Sequence, residues 1–273
     1  MTARCLFVMI LLFLWVGGVS AADLSGKLTL QAGGREQGIF EKSTVKFEKQ
    51  NPKVRTRIME LEGSDPLAAL KEGTVDIVVL GRNLAPEEKD LASTVVGWEG
   101  IAVMVNASNR VTEATLPQIA DIFTGKIKTW DELGGLESRI SVIQREEGKG
   151  VRPYFEQLLN LDGKLIKAKG VAEPDKEAIK TVAGSLNAVS YLDLNVGVSN
   201  VSVGVPIRLL TINKVEPEPS NVSSGAYPLR RPLLLVTKNP PSPVAKAFID
   251  FMLEKDGQKT VLEEDFVPML VTK

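Results

Sequence analysis

The sequence predicts an α/β fold in which a parallel-rich sheet is flanked by helices. Apolar strands and amphipathic helices alternate through the first half of the chain. Residues 75–80 form a nearly continuous apolar run, as a strand covered on both faces requires. The strand–helix–strand spacing also suits connections that bring the chain back parallel to itself.

The elements read in order. Residues 27–31 alternate Leu28 and Leu30 as a half-buried strand does, and a helix over 37–49 carries Ile39, Phe40, Thr44 and Phe47 at helical spacing. Asn51-Pro52 stops it before a strand at 54–59. A helix begins at Pro66 with Asp65 available as its cap, ahead of the 75–80 strand. A strand at 101–106, a helix at 116–123 and a strand at 140–143 follow, then an amphipathic helix at 172–182 and a strand at 188–194. Late strands are expected at 208–213 and 232–237, with the proline-rich 214–219 stretch as a loop between them. Helices at 242–253, opened by Ser242-Pro243, and at 257–264 close the chain.

The first 22 residues read as an export signal. Arg4 supplies a positive start, residues 6–16 are an uninterrupted apolar run, and Val19-Ser20-Ala21 has the small residues a signal peptidase requires. Cleavage is expected after Ala21 or Ala22, giving a free periplasmic or secreted protein. Cys5 precedes the apolar run, where it is no lipid-attachment site. The mature chain then has no cysteine, and the sequence has no histidine, which excludes disulfides, thiolate or imidazole metal sites and Ser-His or Cys-His catalysis. No cofactor is implied, and no carboxylate pair is marked for catalysis. A net charge of −1 and a pI near 5.8 give no electrostatic case for nucleic acid.

Residues 144–159 carry the strongest functional signal. A strand runs into a turn with Gly148 and Gly150, and a helix begins near Pro153 with Tyr154, Phe155, Leu158 and Leu159 on one stripe. Such a junction aims backbone N–H groups at one point and can hold an anion, with Arg145, Lys149 and Arg152 adding charge. An ordinary strand-to-helix connection with solvated basic side chains fits the same residues.

Five segments together resemble the periplasmic phosphate-binding proteins of ABC transporters. They are Ala69–Ile77 with Gly81-Arg82, Gly100–Asn106, and the 116–135 stretch with its Ile-Phe-Thr-Gly-Lys-Ile and Trp-Asp-Glu-Leu-Gly-Gly signatures. The others are Arg145-Glu-Glu-Gly-Lys-Gly-Val-Arg152, and Tyr227-Pro-Leu-Arg-Arg-Pro-Leu with Ala245–Phe251. The resemblance implies a two-lobed, type II periplasmic-binding-protein fold with two crossings between lobes. Residues 24–102 and 207–273 would form lobe one and 103–206 lobe two. It implies a non-catalytic, monomeric binding protein that takes phosphate or a related anion in the cleft and delivers it to an ABC permease. A receptor-like or degenerate protein signalling to a membrane sensor is the alternative.

The departures from that family fall in the site. Its first-loop hydroxyls are replaced by Gly33-Gly34-Arg35-Glu36-Gln37-Gly38, its third-loop serine and threonine by Lys149 and Val151, and the serine after Leu80 by Gly81. The ligand residues expected are Arg145, Gly148, Lys149, Gly150, Arg82, Arg35, Glu147 and Ser64, the last being the one hydroxyl left near a contact position. Arg82 has Glu87 or Glu88 as competing partners, Glu36 is expected to cap its own helix, and Trp130, Tyr154 and Phe155 to lie in the core.

Overall fold

A computed structural model describes residues 24–60, 65–161 and 165–269; the signal segment and Ser64 lie outside them. In chain order the first elements are β1 (Ser25–Gln31), α1 (Gln37–Gln50), β2 (Lys53–Met59), α2 (Pro66–Glu72) and β3 (Ile77–Leu80). Then come β4 (Ala92–Asn106), β5 (Glu113–Ala114), α3 (Leu116–Thr124), β6 (Ser141–Gln144), α4 (Arg152–Leu158) and β7 (Gly170–Val171). They are followed by α5 (Asp175–Ala183), β8 (Ala188–Asp193), α6 (Leu194–Ser202), β9 (Ile207–Leu209), β10 (Thr211–Ile212) and α7 (Pro219–Ser224). The last are β11 (Arg230–Thr237), α8 (Pro243–Leu253), α9 (Lys255–Glu263) and β12 (Val267–Pro268).

The sheet runs β2-β1-β3-β11-β4-β8-β6-β7, with β9 and β12 also paired to β4. β1 is parallel to β2 and β3, and β6 is parallel to β7 and β8, as the alternating pattern predicts. At the centre β11 runs antiparallel to both β3 and β4, and β4 antiparallel to β8. Helices bury their apolar stripes on the sheet as two separate cores. The first joins Leu28, Leu30, Phe40 and Phe47 to Leu233, Leu235, Phe248 and Phe251, with a satellite around Leu70, Val78 and Val236. The second gathers residues of 101–229, among them Ile122, Phe123, Trp130, Phe155 and Tyr191. The ring of Phe155 stacks on Tyr191 at 3.7 Å between centroids, and Phe123 meets both edge-on.

β4 is the element that serves both cores. Its first half pairs β11 beneath the first core, and Ile101–Val105 pair β8 in the second. The sequence announces only the second half, because Trp98 and Glu99 interrupt the apolar run before it. The return passage lies between Leu229, in the second core, and Leu233, in the first. Ile207, Leu210, Ile212, Val222 and Tyr227, expected in the first lobe, therefore pack with the second core.

Local signals explain the helix ends. Asp65 accepts the N–H of Leu67 at 3.0 Å to open α2, Ser242 caps α8 through Ala245, and Gly73 closes α2 at φ +83°. Two helices escape sequence reasoning. α6, LNVGVSNVS, is rich in β-branched residues, yet the Asp193 carboxylate accepts the N–H groups of Asn195 and Val196 and starts it. α7 begins at Pro219, where the proline-rich loop ends.

Candidate functional site

The two cores face each other across a cleft of about 310 Å³, lined by residues including Gln31, Gly33, Glu36, Gly81, Arg82, Tyr154 and Arg231. Strand ends supply most of its wall: Gln31 ends β1, Gly81 and Arg82 follow β3, and Arg231 opens β11. Tyr154 arrives from α4 on the opposite side. Open sheets place ligand sites at such strand ends.

Arg231 is the centre of the arrangement. It is 5 % exposed; Nη2 donates to Glu36 at 2.6 Å and Nε donates to Glu99. Its guanidinium carbon lies 3.2 Å from the centroid of the Tyr154 ring, a cation–π contact between the two sides of the cleft. Burial works against its charge, but Glu99 and Glu36 outweigh that penalty and hold its pKa above the ordinary value. Arg35 makes a second bridge, with Nε 2.9 Å from Glu99 and Nη2 2.9 Å from Asp193. Asp193 ends β8 and is fully buried. Burial, reinforced by Glu99 and Asp265 and opposed by Arg35, pushes its carboxyl up to about 8.

Arg145 forms a separate centre behind the glycine turn. It is 1 % exposed; Nε and Nη2 fork onto Glu173 at 2.8 and 2.5 Å, and Nη1 donates to Asp175. Gly150 lies over this fork at φ +56°, and Gly148 takes φ +71°, so both turn positions exploit glycine's freedom in the left-handed region. Arg152 fastens the turn by donating to the Arg145 carbonyl at 2.8 Å and to Glu156 at 2.6 Å.

The structure thus gathers the expected residues unequally. Arg82 lines the cleft while its guanidinium forks onto Glu88 at 2.8 Å for each bond, whereas Arg35 is outside the cleft lining and is held by Glu99 and Asp193. Glu88 in turn is held down to about 2, first by Arg82 and then by the Ala85 N–H. Lys149 is exposed and pairs with Glu146 at 2.7 Å, and Glu147 is exposed beside it. Glu36, expected as a helix cap, makes no side-chain capping bond and turns instead to Arg231. Trp130 and Phe155 are core residues, whereas Tyr154, one position earlier and about 100° round the helix, faces the cleft.

Sequence reasoning passed over Arg231, Glu99 and Asp193. A signal was present for the first two: Glu99 stands inside an apolar strand and Arg231 at the head of another, and buried strand charges require partners. Among the described residues no group of three or more His, Cys, Asp or Glu side chains is placed to hold a metal ion.

Residues 19–256 match the family model for the PBP superfamily domain. This chain belongs to the PBP superfamily. Among curated relatives, it is 28 % identical to the phosphate-binding protein PstS of Bacillus subtilis, over 90 % of this chain and 81 % of that protein. Among solved structures, it is similar to a putative phosphate ABC transporter substrate-binding protein with bound phosphate from Clostridium perfringens. That chain is 29 % identical, with a TM-score of 0.61 over 89 % of this chain and 99 % of that one. PstS from Borrelia burgdorferi shares the fold with a TM-score of 0.80 over 90 % of this chain and 100 % of that one, at 22 % identity. The PBP superfamily match agrees with the α/β, two-lobed architecture that the sequence predicts.

Proposed function

We propose that this protein is an extracytoplasmic solute-binding protein that captures phosphate or a related anion in the cleft and delivers it to an ABC permease. The observation that carries the reading is the near full-length similarity to a relative described with bound phosphate, combined with a cleft at strand ends between two cores. The protein acts by binding rather than catalysis, as a monomer, after removal of the first 22 residues. Among the described residues no helix is long and apolar enough to cross a membrane. The lobes divide along the two cores, so that residues 207–229 move with the second lobe. Arg35, Arg82 and the Arg145–Gly150 turn frame the site, with Lys149 and Glu147 at its exposed margin.

Closure around an anion would bring the two walls together, with the ligand favouring the closed state through contacts made only there. Isothermal titration calorimetry on mature protein, unfolded and refolded to remove carried ligand, tests this. Phosphate is expected to bind with a Kd of micromolar or below. Heat from sulfate, arsenate, molybdate or a small carboxylate with silence toward phosphate would overturn the substrate and keep the binding role.

A second reading, a sensor or degenerate member that signals to a membrane partner, is favoured by one specific observation. Arg35, Arg145 and Arg231 are each paired with carboxylates of the chain itself. Silence toward every anion would select it.

A further inference from the structure

Gly81 has no backbone reason to be glycine: its φ lies outside the left-handed region that favours that residue. Its reason is steric. A Cβ at position 81 would stand 1.7 Å from Nη1 and 2.8 Å from Cζ of Arg231, far inside any van der Waals contact. The Nη1 end of the guanidinium therefore occupies space that only glycine leaves open. Its guanidinium carbon lies over the Tyr154 ring, and its Nε and Nη2 edges belong to Glu99 and Glu36. Nη1 is the nitrogen to which no carboxylate is assigned, and it borders the cleft lined by Gln31, Gly81 and Arg82. On the same wall the buried Gln31 Oε1 has no hydrogen-bond partner.

We propose that Arg231, seated on Gly81, is the anion-recognising side chain of this cleft and presents its Nη1 edge to an oxyanion. The inference rests on the anion-binding reading above and adds the group that does the recognising. The two carboxylates orient the guanidinium so that one N–H edge is fixed in advance, which lowers the cost of ordering it on binding. Tyr154 covers it from the opposite wall, so the same side chain also registers closure. The charged groups facing Arg231 are Glu36, Glu99 and, beyond Glu99, Arg35 with Asp193. Cations and anions nearly balance there, so selection depends on aimed N–H groups rather than on a broad positive field. Gln31, on the same cleft lining, has an unpartnered acceptor in Oε1, which suits an oxyanion that still carries a proton, such as hydrogen phosphate.

The test is calorimetric titration of refolded mature protein with phosphate, arsenate and sulfate, for wild type, Gly81→Ser, Arg231→Lys and the charge-balanced pair Glu36→Gln/Arg231→Gln. Thermal melts of each identify folded samples. Gly81→Ser is expected to displace the guanidinium, and Gly81→Ser and the charge-balanced pair should each weaken phosphate binding roughly ten- to a hundredfold, the worth of one charge-assisted hydrogen bond. Arg231→Lys keeps a cation between the two glutamates and guards against a variant that does not fold; its loss should be roughly tenfold, because an ammonium lacks the planar fork. Phosphate affinity unchanged in folded Gly81→Ser and Arg231→Lys would overturn this inference and leave the phosphate reading standing. Arg231-dependent binding of sulfate with silence toward phosphate would keep Arg231 as the recognising group and overturn the phosphate reading. No binding of any anion by wild type would overturn both.

Discussion

Two arginines are buried almost equally, each between two carboxylates, and yet they serve different ends. Around Arg145 every nitrogen of the guanidinium is engaged by Glu173 or Asp175, both carried by the short approach to α5 and its first residue. All three residues belong to the second core's side of the molecule, and the fork ties the glycine turn to α5. Around Arg231 the partners come from the first core's side, the cover comes from Tyr154 across the cleft, and one edge borders open volume. The lesson is that burial and ion pairing alone do not separate a scaffold from a site. What separates them is whether a polar edge remains beside a cavity and whether the contact spans the two sides of the cleft.

The comparison breaks most visibly at Arg145. Replacing it with alanine leaves Glu173 and Asp175 facing each other without a cation, and stability should fall by about 3 kcal/mol, the lower end for a broken buried pair because both carboxylates keep some solvent. Urea unfolding followed by circular dichroism measures the loss; a change below about 1 kcal/mol would mean that Arg145 is no scaffold.

Asp193 sharpens the other half. Its carboxyl is pushed up to about 8 in the folded protein, so between roughly pH 4 and 8 the folded state holds a proton that the unfolded chain releases. Stability from this group is therefore greatest in acid and declines as pH rises through that window. Asp193→Asn keeps a good cap for α6 and should flatten the decline in melting temperature. An identical pH profile in both proteins would show that Arg35 keeps Asp193 ionised throughout.

The smallest effect belongs to Lys149, exposed and paired with its neighbour Glu146. Lys149→Ala should change stability by less than about 0.5 kcal/mol and phosphate affinity by less than about threefold, since exposed pairs contribute little. A larger loss of affinity would move the ligand toward the glycine turn and away from Arg231.

Much of the fold was legible because its signals are local. The alternating leucines of β1, the Asp65 and Ser242 caps and the signature residues around Trp130 each act within a few positions. The site was legible only in outline. The glycine turn and Arg145 lie in one contiguous motif, and the sequence places them together. Arg231, Glu36 and Glu99 come from three distant segments, and Glu36 meets Arg231 across 195 positions of chain. No local pattern encodes that meeting, and Tyr154 read as core because helical spacing alone does not say which side of a stripe's margin faces a cleft.

The passage of the chain between its two cores also sets an order of assembly. Apart from Val267, the second core is drawn from a nearly continuous stretch, 101–229, whereas the first joins β1–β3 to β11, α8 and α9 from the far end. β3 waits for a partner in β11, whose residues lie about 150 positions later. Closing so long a loop is slow compared with local contacts. The β1–β3 segment pairs within itself but gains its neighbour β11 only once the far end of the chain is in place, so the first core is completed late.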